Sequence, residues 1–369
     1  MRSLSISLFL AFAASSVLAD HHDSSQILGF VSGSRTPADA KIKTIGDYRK
    51  EFDLATTMKD IPGKFNSVRL YTMVDEATSY GRDAVVKPNP AIKAAMDTNT
   101  KMLLGIWCSN TNDIAVELKA LEAALVWGPK FADLVVGISV GHEDIYRYIS
   151  EGPKSGKTLD DILAFVDKVR KAIKGTVLEN KPVGHSEPWV VFANINSSFV
   201  DKLDFIGANI MPFYDEETEK VGMAKQFDKA LAGVREKSRG KPVWVTETGW
   251  PITGESKTGN KASVANACDF WQEIGCRKLF NKVNVWWYNL RDSNRGLVNS
   301  YAISKNLTTE PVFDLACKKD EPKKDEPKKD GPKKDEPSGV WTVSPVTSSH
   351  RVVVITLTIP DNETPSPTS

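Results

Sequence analysis

Short apolar runs recur at regular intervals along the chain between about residue 27 and residue 317. Several of them are apolar at consecutive positions, which is typical of parallel strands covered on both faces. The pattern predicts eight strands, at residues 27–31, 67–71, 102–107, 134–140, 181–185, 205–209, 242–246 and 283–288. Their starts are roughly 36 residues apart, which leaves room for a helix between successive strands.

Amphipathic helical patterns lie between many of the strands, for example at 114–126, 159–173 and 262–274. Strand–helix alternation repeated eight times predicts an α/β fold, a (β/α)8 TIM barrel, over residues 20–317. The alternative is a doubly wound open sheet. Its nucleotide-binding versions are disfavoured, because no Gly-x-Gly-x-x-Gly motif follows the first strand and no phosphate loop is found.

Two glutamates follow predicted strands at the barrel end that holds the active site in this fold. Glu143 comes directly after the fourth strand and Glu247 after the seventh, each with glycines nearby. Because these strands lie nearly opposite in an eight-strand ring, the carboxyl groups would face each other. Facing carboxyl groups suit acetal hydrolysis, in which one donates a proton to the leaving oxygen and the other attacks the anomeric carbon.

Aromatic and polar side chains cluster at the same strand ends. Flat, partly polar rings suit the apolar faces of sugars, and polar neighbours would bind hydroxyl groups. The candidates for substrate binding are Arg69, Tyr71, Trp107, His142, Glu187, Trp189, Asn209, Tyr214, Trp250 and Trp286. Strand alternation sends Trp287 to the opposite face from Trp286, so we expect Trp287 to pack against helices.

The net charge of the chain limits the kinds of molecule that it is expected to bind. The 48 basic and 47 acidic residues leave a net charge of +1, so a nucleic acid is not expected and a neutral substrate is. After residue 19 there is no apolar run long enough to span a bilayer. Residues 1–19 resemble a secretory signal, with Arg2, an apolar stretch and Ala19 before the cleavage point. We therefore expect a secreted, cell-wall-associated monomer.

If the chain is exported, its cysteines can form disulfides and its Asn-x-Ser/Thr patterns can be glycosylated. Four cysteines would meet an oxidising compartment and allow three disulfide pairings, among which the sequence does not choose; they are Cys108, Cys268, Cys276 and Cys317. Three asparagines are candidate glycosylation sites, namely Asn196, Asn306 and Asn362.

The C-terminal part has a different composition. Residues 318–337 are four copies of Lys-Lys-Asp-Glu-Pro, with Gly331 replacing Glu in the third copy. With almost no apolar side chain to bury, this linker is predicted to stay extended and solvated. Residues 338–369 are rich in Ser, Thr and Pro, the composition of an O-glycosylated tail.

Six segments together resemble glycoside hydrolase family 17, most closely its fungal endo-β-1,3-glucanase branch. They are VRLYT (68–72), LLGIW (103–107), VGISVGHEDIYR (136–147), WVTETGWP (244–251), VNVWWY (283–288) and FDLAC (313–317). The resemblance implies a retaining hydrolase of β-1,3-glucan with Glu143 as acid/base, Glu247 as nucleophile and neither cofactor nor metal. His142 and Met211 depart from the family pattern, which leaves substrate preference and pH optimum open.

Three alternatives remain. A β-1,3-glucanosyltransferase would share the glycosyl-enzyme and pass it to a sugar instead of water. An inactive glucan-binding wall protein would bind without turnover. A metalloenzyme would use His142, Glu143, His185 and Glu187, although histidines at a sugar site are more often hydrogen-bond donors.

Overall fold

The computed structural model describes residues 26–37, 39–80, 85–293 and 298–319. Eight strands pair in chain order, all parallel, and the eighth pairs with the first to close a barrel. They are β1 Leu28–Val31, β2 Ser67–Arg69, β3 Lys101–Ile106, β4 Val135–His142, β5 Val183–Pro188, β6 Ile206–Asn209, β7 Val243–Thr248 and β8 Val285–Trp287. The predicted TIM barrel is confirmed.

The predicted strands are confirmed with small shifts at their ends. β5 shows the largest shift, since it ends at Pro188 instead of at residue 185. Its last residues include His185, Ser186 and Glu187, all fully buried although polar. A prediction based on apolar runs stops too early here, because hydrogen bonds and not hydrophobicity compensate the burial of these side chains.

Helices surround the barrel. They are α1 Ile45–Thr57, α2 Pro90–Asp97, α3 Ala115–Ala124, α4 Pro129–Ala132, α5 Asp144–Glu151, α6 Leu159–Ile173, α7 Trp189–Ala193, α8 Ser197–Asp201, α9 Glu217–Val221, α10 Met223–Lys237 and α11 Val264–Phe270. Short 3-10 helices lie at Leu125–Trp127 and Pro212–Tyr214, and a π-helix at Trp271–Leu279 continues α11.

Helix α6 begins and ends where the sequence predicts. Its capping residue Thr158 accepts a hydrogen bond from the Asp161 backbone, and the Asp161 side chain bonds back to the Thr158 backbone. Its apolar side chains are buried against the sheet. Trp287 also packs as predicted, against the aromatic rings of Phe270, Trp271 and Phe280.

Large side chains fill the barrel interior. Val31, Leu103, Phe205 and Trp286 form a buried cluster separate from the larger one under the helices. Trp286 is completely buried and its indole N–H donates to the Ser67 hydroxyl at 3.0 Å. A Cβ atom at residue 29 would lie 2.8 Å from the Trp286 ring, so glycine at that position makes room for the indole.

The described C-terminal segment is fastened to the barrel. Cys276 and Cys317 form a disulfide, while Cys108 is a buried thiol and Cys268 a half-buried one. The signal segment 1–19, Asn362, and residues 320–369 of the predicted linker and tail lie outside the described residues. Asn196 caps α8 and Asn306 is exposed. Among the described residues, the helices are too short or too polar to cross a bilayer.

Candidate active site

A cleft of about 920 Å³ opens at the C-terminal ends of the strands. This volume is at the upper end of the range for small-molecule sites. Eight of the twelve predicted site residues line it: Tyr71, Trp107, His142, Glu143, Trp189, Asn209, Tyr214 and Glu247. Each one either ends a strand or follows one closely, as the barrel fold requires for an active site.

Glu247 is buried and held by two donors. Its Oε1 atom accepts hydrogen bonds from Arg69 Nη1 at 2.5 Å and from the Tyr71 hydroxyl at 2.6 Å. Arg69 is itself buried beneath the cleft. Burial, followed by the charge of Glu247, raises the pKa of Tyr71 well above its ordinary value, so Tyr71 keeps its proton and donates. Glu247 is thus oriented beside a fixed positive charge.

Glu143 has different surroundings. Burial, reinforced by the charge of Glu247, raises its pKa from 4.5 to about 6. Asn209 Nδ2 donates to Glu143 Oε1 at 2.8 Å, and Asn209 Oδ1 accepts from the Thr246 hydroxyl, which fixes the orientation of the amide. The Arg147 guanidinium lies 3.8 Å from Oε2. The site therefore holds one carboxyl that retains its proton up to mildly acidic pH.

The two carboxyl groups reach the same space. One oxygen of Glu143 and one of Glu247 lie within 4.8 Å of each other and of a His142 ring nitrogen. Retaining glycosidases have carboxyl groups about 5–5.5 Å apart, whereas inverting ones separate them by about 6.5–9.5 Å to admit a water molecule. The short separation matches the retaining geometry.

His142 is neutral and has a defined tautomer. Burial, together with the charges of Arg69 and Arg147, lowers its pKa well below the ordinary value. Its Nδ1 atom lies 3.1 Å from Arg69 Nη2, which can only donate. Nδ1 is therefore the acceptor and Nε2 carries the proton. His142 lines the cleft and thus brings an N–H donor to it. Met211, the other departure from the family pattern, also lines the cleft.

Aromatic rings line the cleft. The Arg147 guanidinium stacks over the Trp107 ring, 5.4 Å from its centroid. The Trp189 indole N–H donates to the Asp215 carboxyl at 3.1 Å. Tyr214 remains 45% exposed beside them. These rings are held in place by polar partners, so they can present flat faces to a sugar chain.

Four predicted substrate-binding residues do not line the cleft: Arg69, which bonds to Glu247 from beneath it, and three others. Trp286 packs inside the barrel, below the site. Trp250 is buried against Phe213 and Phe270, with its indole N–H donating to the Lys261 carbonyl. Glu187 is completely buried and bonds to protein groups. Side chains along a strand point alternately toward the inside of the barrel and toward the helices around it. The register shifts of β4 and β7 change this alternation locally, so the sequence does not show which strand-end residues reach the cleft.

Other cleft residues were missed by the sequence reasoning. Arg147 could have been found, since it lies four residues after Glu143 at the start of a helix, on the same face. Glu117 looks like a solvent-facing residue of α3, yet it accepts from Thr72 and from the Met73 backbone, and burial raises its pKa to about 7. Tyr301 follows a stretch without periodicity and had no signal.

The geometry disfavours the metalloenzyme alternative. His185 and Glu187 bond to each other in the buried layer and do not share a site with His142. His142 and the two cleft glutamates do bring one polar atom each within 4.8 Å of the others. However, the Arg69 guanidinium already bonds within this group, and a metal cation placed there would be repelled by that fixed charge.

Comparisons with known proteins agree with this geometry. Residues 36–295 match the model of the BtgE/BtgC glycoside hydrolase domain. A probable glucan endo-1,3-beta-glucosidase, eglC, of Aspergillus oryzae is 39% identical over 299 residues, which cover 78% of this chain and 62% of the relative. A glucan 1,3-beta-glucosidase of Saccharomyces cerevisiae is 26% identical, covering 65% of this chain and 75% of the relative.

A solved structure shares the fold. The glycoside hydrolase family 17 beta-1,3-glucanosyltransferase of Rhizomucor miehei superposes with a TM-score of 0.60 at 19% identity, over 78% of this chain and 98% of that one. This likeness concerns the fold, whereas the matched family model covers most of the chain and the site just described. The chain belongs to the BtgE/BtgC glycoside hydrolase family.

Proposed function

We propose that the protein is a retaining hydrolase of β-1,3-glucan that cleaves inside the polysaccharide chain. The single observation that carries this proposal is the pair of carboxyl oxygens within 4.8 Å, one on a glutamate with a raised pKa and the other on a glutamate paired with arginine. The names of the Aspergillus relatives support the substrate, and the six sequence motifs support an assignment to glycoside hydrolase family 17. This chain corresponds to about two thirds of those relatives' length.

In the first step, Glu247 attacks the anomeric carbon while Glu143 donates its proton to the departing glucan oxygen. The C–O bond to the leaving chain breaks as the bond to the Glu247 oxygen forms. Burial keeps the proton on Glu143 at mildly acidic pH. Arg69 and Tyr71 orient the attacking carboxylate.

In the second step, Glu143 is deprotonated and removes a proton from water. The resulting attack breaks the bond to Glu247 and releases a glucan chain whose new reducing end keeps the configuration of the starting bond, and Glu247 regains its negative charge. Arg69 and Tyr71 then stabilise that returning charge, because both still donate to Oε1.

A cleft of about 920 Å³ lined by several aromatic rings supports cleavage inside a chain, since it has room for sugars on both sides of the cleaved bond. The predicted signal supports a secreted protein that acts on cell-wall glucan. In this proposal His142, which lines the cleft and carries its proton on Nε2, donates to a sugar hydroxyl.

The test follows laminarin digestion by NMR, which reads the anomer formed first, and by timed product analysis. We expect β-anomers and a mixture of oligosaccharides from the earliest times. Glu247→Ala should lower kcat by at least about 10⁴-fold without unfolding the protein, whereas Glu236→Gln, on an exposed face of α10, should behave as wild type. Initial α-anomers, or wild-type rates in Glu247→Ala, would contradict the proposal.

The same experiment examines the transferase alternative, which the family 17 fold neighbour raises. A transferase passes the glucosyl group from Glu247 to a second sugar. Products longer than the starting oligosaccharide would then appear first, and at high substrate concentration they would exceed the hydrolysis products. Unchanged activity after incubation with EDTA would remove the metalloenzyme alternative.

A further inference from the structure

The backbone at Glu143 has an unusual conformation. Its φ of 56° and ψ of 30° lie in the left-handed region, which disfavours residues other than glycine. The residue two positions earlier, Gly141, also has a positive φ, of 87°. A side chain on such a backbone keeps its position only if the surrounding structure holds both ends of the turn.

Three consecutive residues of β5 hold this turn. The Ser186 carbonyl accepts from the backbone N–H of Glu143 itself at 2.9 Å. On the side before the turn, His185 Nδ1 donates to the Val140 carbonyl at 2.5 Å.

On the side after the turn, the Glu187 carboxylate receives the first N–H groups of α5. Its Oε1 accepts from Ile145 at 2.7 Å and its Oε2 from Tyr146 at 3.1 Å. His185 Nε2 bonds to Glu187 Oε1 at 2.7 Å. Because successive side chains of a strand alternate, residues two apart share a face, and the pair connects the end of β4 to the start of α5.

The pair has no access to substrate. Both side chains are completely buried and neither lines the cleft. Gly141 leaves the space that His185 needs, since a Cβ atom there would lie 2.9 Å from the imidazole and 2.4 Å from Asp144 Oδ2. Asp144 accepts from the His142 backbone and from Ser109, so it supports the turn from the other side.

A buried charged pair is weak evidence of a stabilising role. Desolvation opposes it, and apolar replacements of equal volume are often as stable. Burial alone would lower the pKa of His185, but the Glu187 carboxylate and the Val140 carbonyl outweigh burial and raise it. Burial raises the pKa of Glu187, and its bonds to His185 and to the helix-start N–H groups oppose that rise. Apart from the bond that joins His185 to Glu187, their side-chain hydrogen bonds go to backbone groups on the two sides of the Glu143 turn.

We propose that His185 and Glu187 act as positioning residues that bracket Glu143 and set where its carboxyl group meets the leaving oxygen. The proposal rests on the proposed function, in which Glu143 is the acid/base. A displacement of about 1 Å at a reacting group can lower a rate by about 100-fold. The pair thus affects the step that needs the proton of Glu143 and not the attack of Glu247.

The test uses aryl β-laminaritriosides with two leaving groups. 2,4-Dinitrophenolate departs without a proton, whereas phenolate needs one. We expect Glu187→Gln to lower kcat/KM about 100-fold for the phenyl substrate and less than about fivefold for the dinitrophenyl substrate, since general acid catalysis contributes about 10²–10⁴-fold. The ratio of the two rate constants does not depend on how much of a preparation is folded.

A matched control removes another buried carboxylate. Glu51 is equally enclosed and bonds to Lys43 and Ser32, away from the cleft lining. Glu51→Gln should leave the leaving-group ratio within twofold of wild type even if it lowers the melting temperature. Glu143→Gln should reproduce the selective loss, and adding Glu187→Gln to it should cost no more than about twofold, because the bracketed carboxyl is already gone.

Should Glu187→Gln fail to fold, His185→Gln breaks the same pair while preserving a donor toward Val140, and we expect the same selective loss. If either variant keeps the wild-type ratio of the two rate constants, because neither rate falls or both fall equally, the positioning role is wrong. If Glu143→Gln leaves the ratio of the phenyl to the dinitrophenyl rate constants unchanged, the acid/base assignment of Glu143 is wrong. The positioning role of His185 and Glu187 is then wrong as well. The two failures are thereby distinguished.

Discussion

The two facing glutamates differ in what surrounds each carboxyl group. Glu247 accepts hydrogen bonds from a guanidinium and a phenol. Glu143 is enclosed and has a neutral amide at 2.8 Å, which compensates burial less strongly. Its raised pKa follows from burial first and from the charge of Glu247 second. Two residues of one type thus have different surroundings, which in the proposed mechanism suit one to donate a proton and the other to attack.

This raised pKa has a consequence for stability. Because the pKa of Glu143 is about 6 in the folded protein and 4.5 ordinarily, the unfolded chain loses its proton first as pH rises. Wild type therefore loses stability between about pH 4.5 and 6, by roughly 2 kcal/mol once both states are ionised. Glu143→Gln, which stays neutral, should be more stable than wild type at pH 7.5 and similar at pH 4.

Urea unfolding at the two pH values measures this difference. Glu236→Gln, whose side chain is 73% exposed, serves as the control and should show no pH-dependent gain. A gain of equal size at pH 4 and pH 7.5 would mean that packing, not ionisation, explains the effect.

Tyr71 acts on the second step in the proposed mechanism. Its hydroxyl donates to Glu247 Oε1 at 2.6 Å, and that oxygen regains full charge when the glycosyl-enzyme is hydrolysed. A hydrogen bond to a charged group contributes about 1.5–3 kcal/mol, so Tyr71→Phe should slow this step by roughly 10–100-fold. With a dinitrophenyl substrate, rapid-mixing kinetics should show a burst of released phenol as the intermediate accumulates.

Tyr80→Phe is the matched control, because Tyr80 also lines the cleft but is 63% exposed. It should show wild-type kcat. An unchanged kcat without a burst in Tyr71→Phe would remove the role assigned to this hydroxyl.

At the scale of elements, strand ends and helix starts carry the site. Arg69 ends β2, Asn209 ends β6 and Glu247 is the next-to-last residue of β7. Strand pairing therefore sets their separation. Glu143 differs, since it lies in the turn between β4 and α5 and depends on side-chain bonds from β5.

The C-terminal strap, residues 313–318, is a second element joined by side chains. It lies along the π-helix Trp271–Leu279, whose Trp271 and Gln272 donate to the carbonyls of Leu315 and Ala316. The Cys276–Cys317 disulfide closes the same contact, with 41 residues of sequence separation. A disulfide and two side-chain hydrogen bonds thus hold the strap against the π-helix.

Replacing both cysteines, Cys276→Ser with Cys317→Ser, should lower the free energy of unfolding by about 4 kcal/mol, on the loop-entropy relation for about 41 residues. Urea unfolding measures it. Activity on glucan should be unchanged, because strap residues do not line the cleft. Cys268→Ser, which removes a half-buried thiol outside the disulfide, should change stability far less. An equal loss in the control would assign the effect to the substitution itself.

At the scale of the whole molecule, the cleft lining comes from residues between 33 and 301, that is, from the matched family domain at 36–295 and a few residues on either side of it. The predicted linker and tail supply none of its described lining. A chain that ends at Lys319 should therefore retain kcat/KM on soluble laminari-oligosaccharides within about twofold of the full chain. Loss of activity would mean that the tail contributes to turnover and is more than a spacer.

The sequence alone determined the barrel and pointed to the two glutamates that the cleft brings together, because both depend on local signals. Apolar runs at regular spacing define parallel strands, and a glutamate beside glycine at a strand end is visible in the one-dimensional pattern. Strand limits were also close, except in β5, where buried polar side chains interrupt the apolar signal. The motifs also indicated a glycoside hydrolase, and the match to the BtgE/BtgC glycoside hydrolase domain confirms that coarser assignment.

Only the tertiary structure decided which strand-end residues face the cleft and which cysteines pair. Trp286 fills the barrel, Trp250 packs behind the cleft and Glu187 bonds to the start of a helix, although all three looked like sugar contacts. Cys276 meets Cys317 because the strap follows the π-helix. These outcomes depend on bulges and long-range contacts, which bring together residues whose separation along the chain carries no periodic signal.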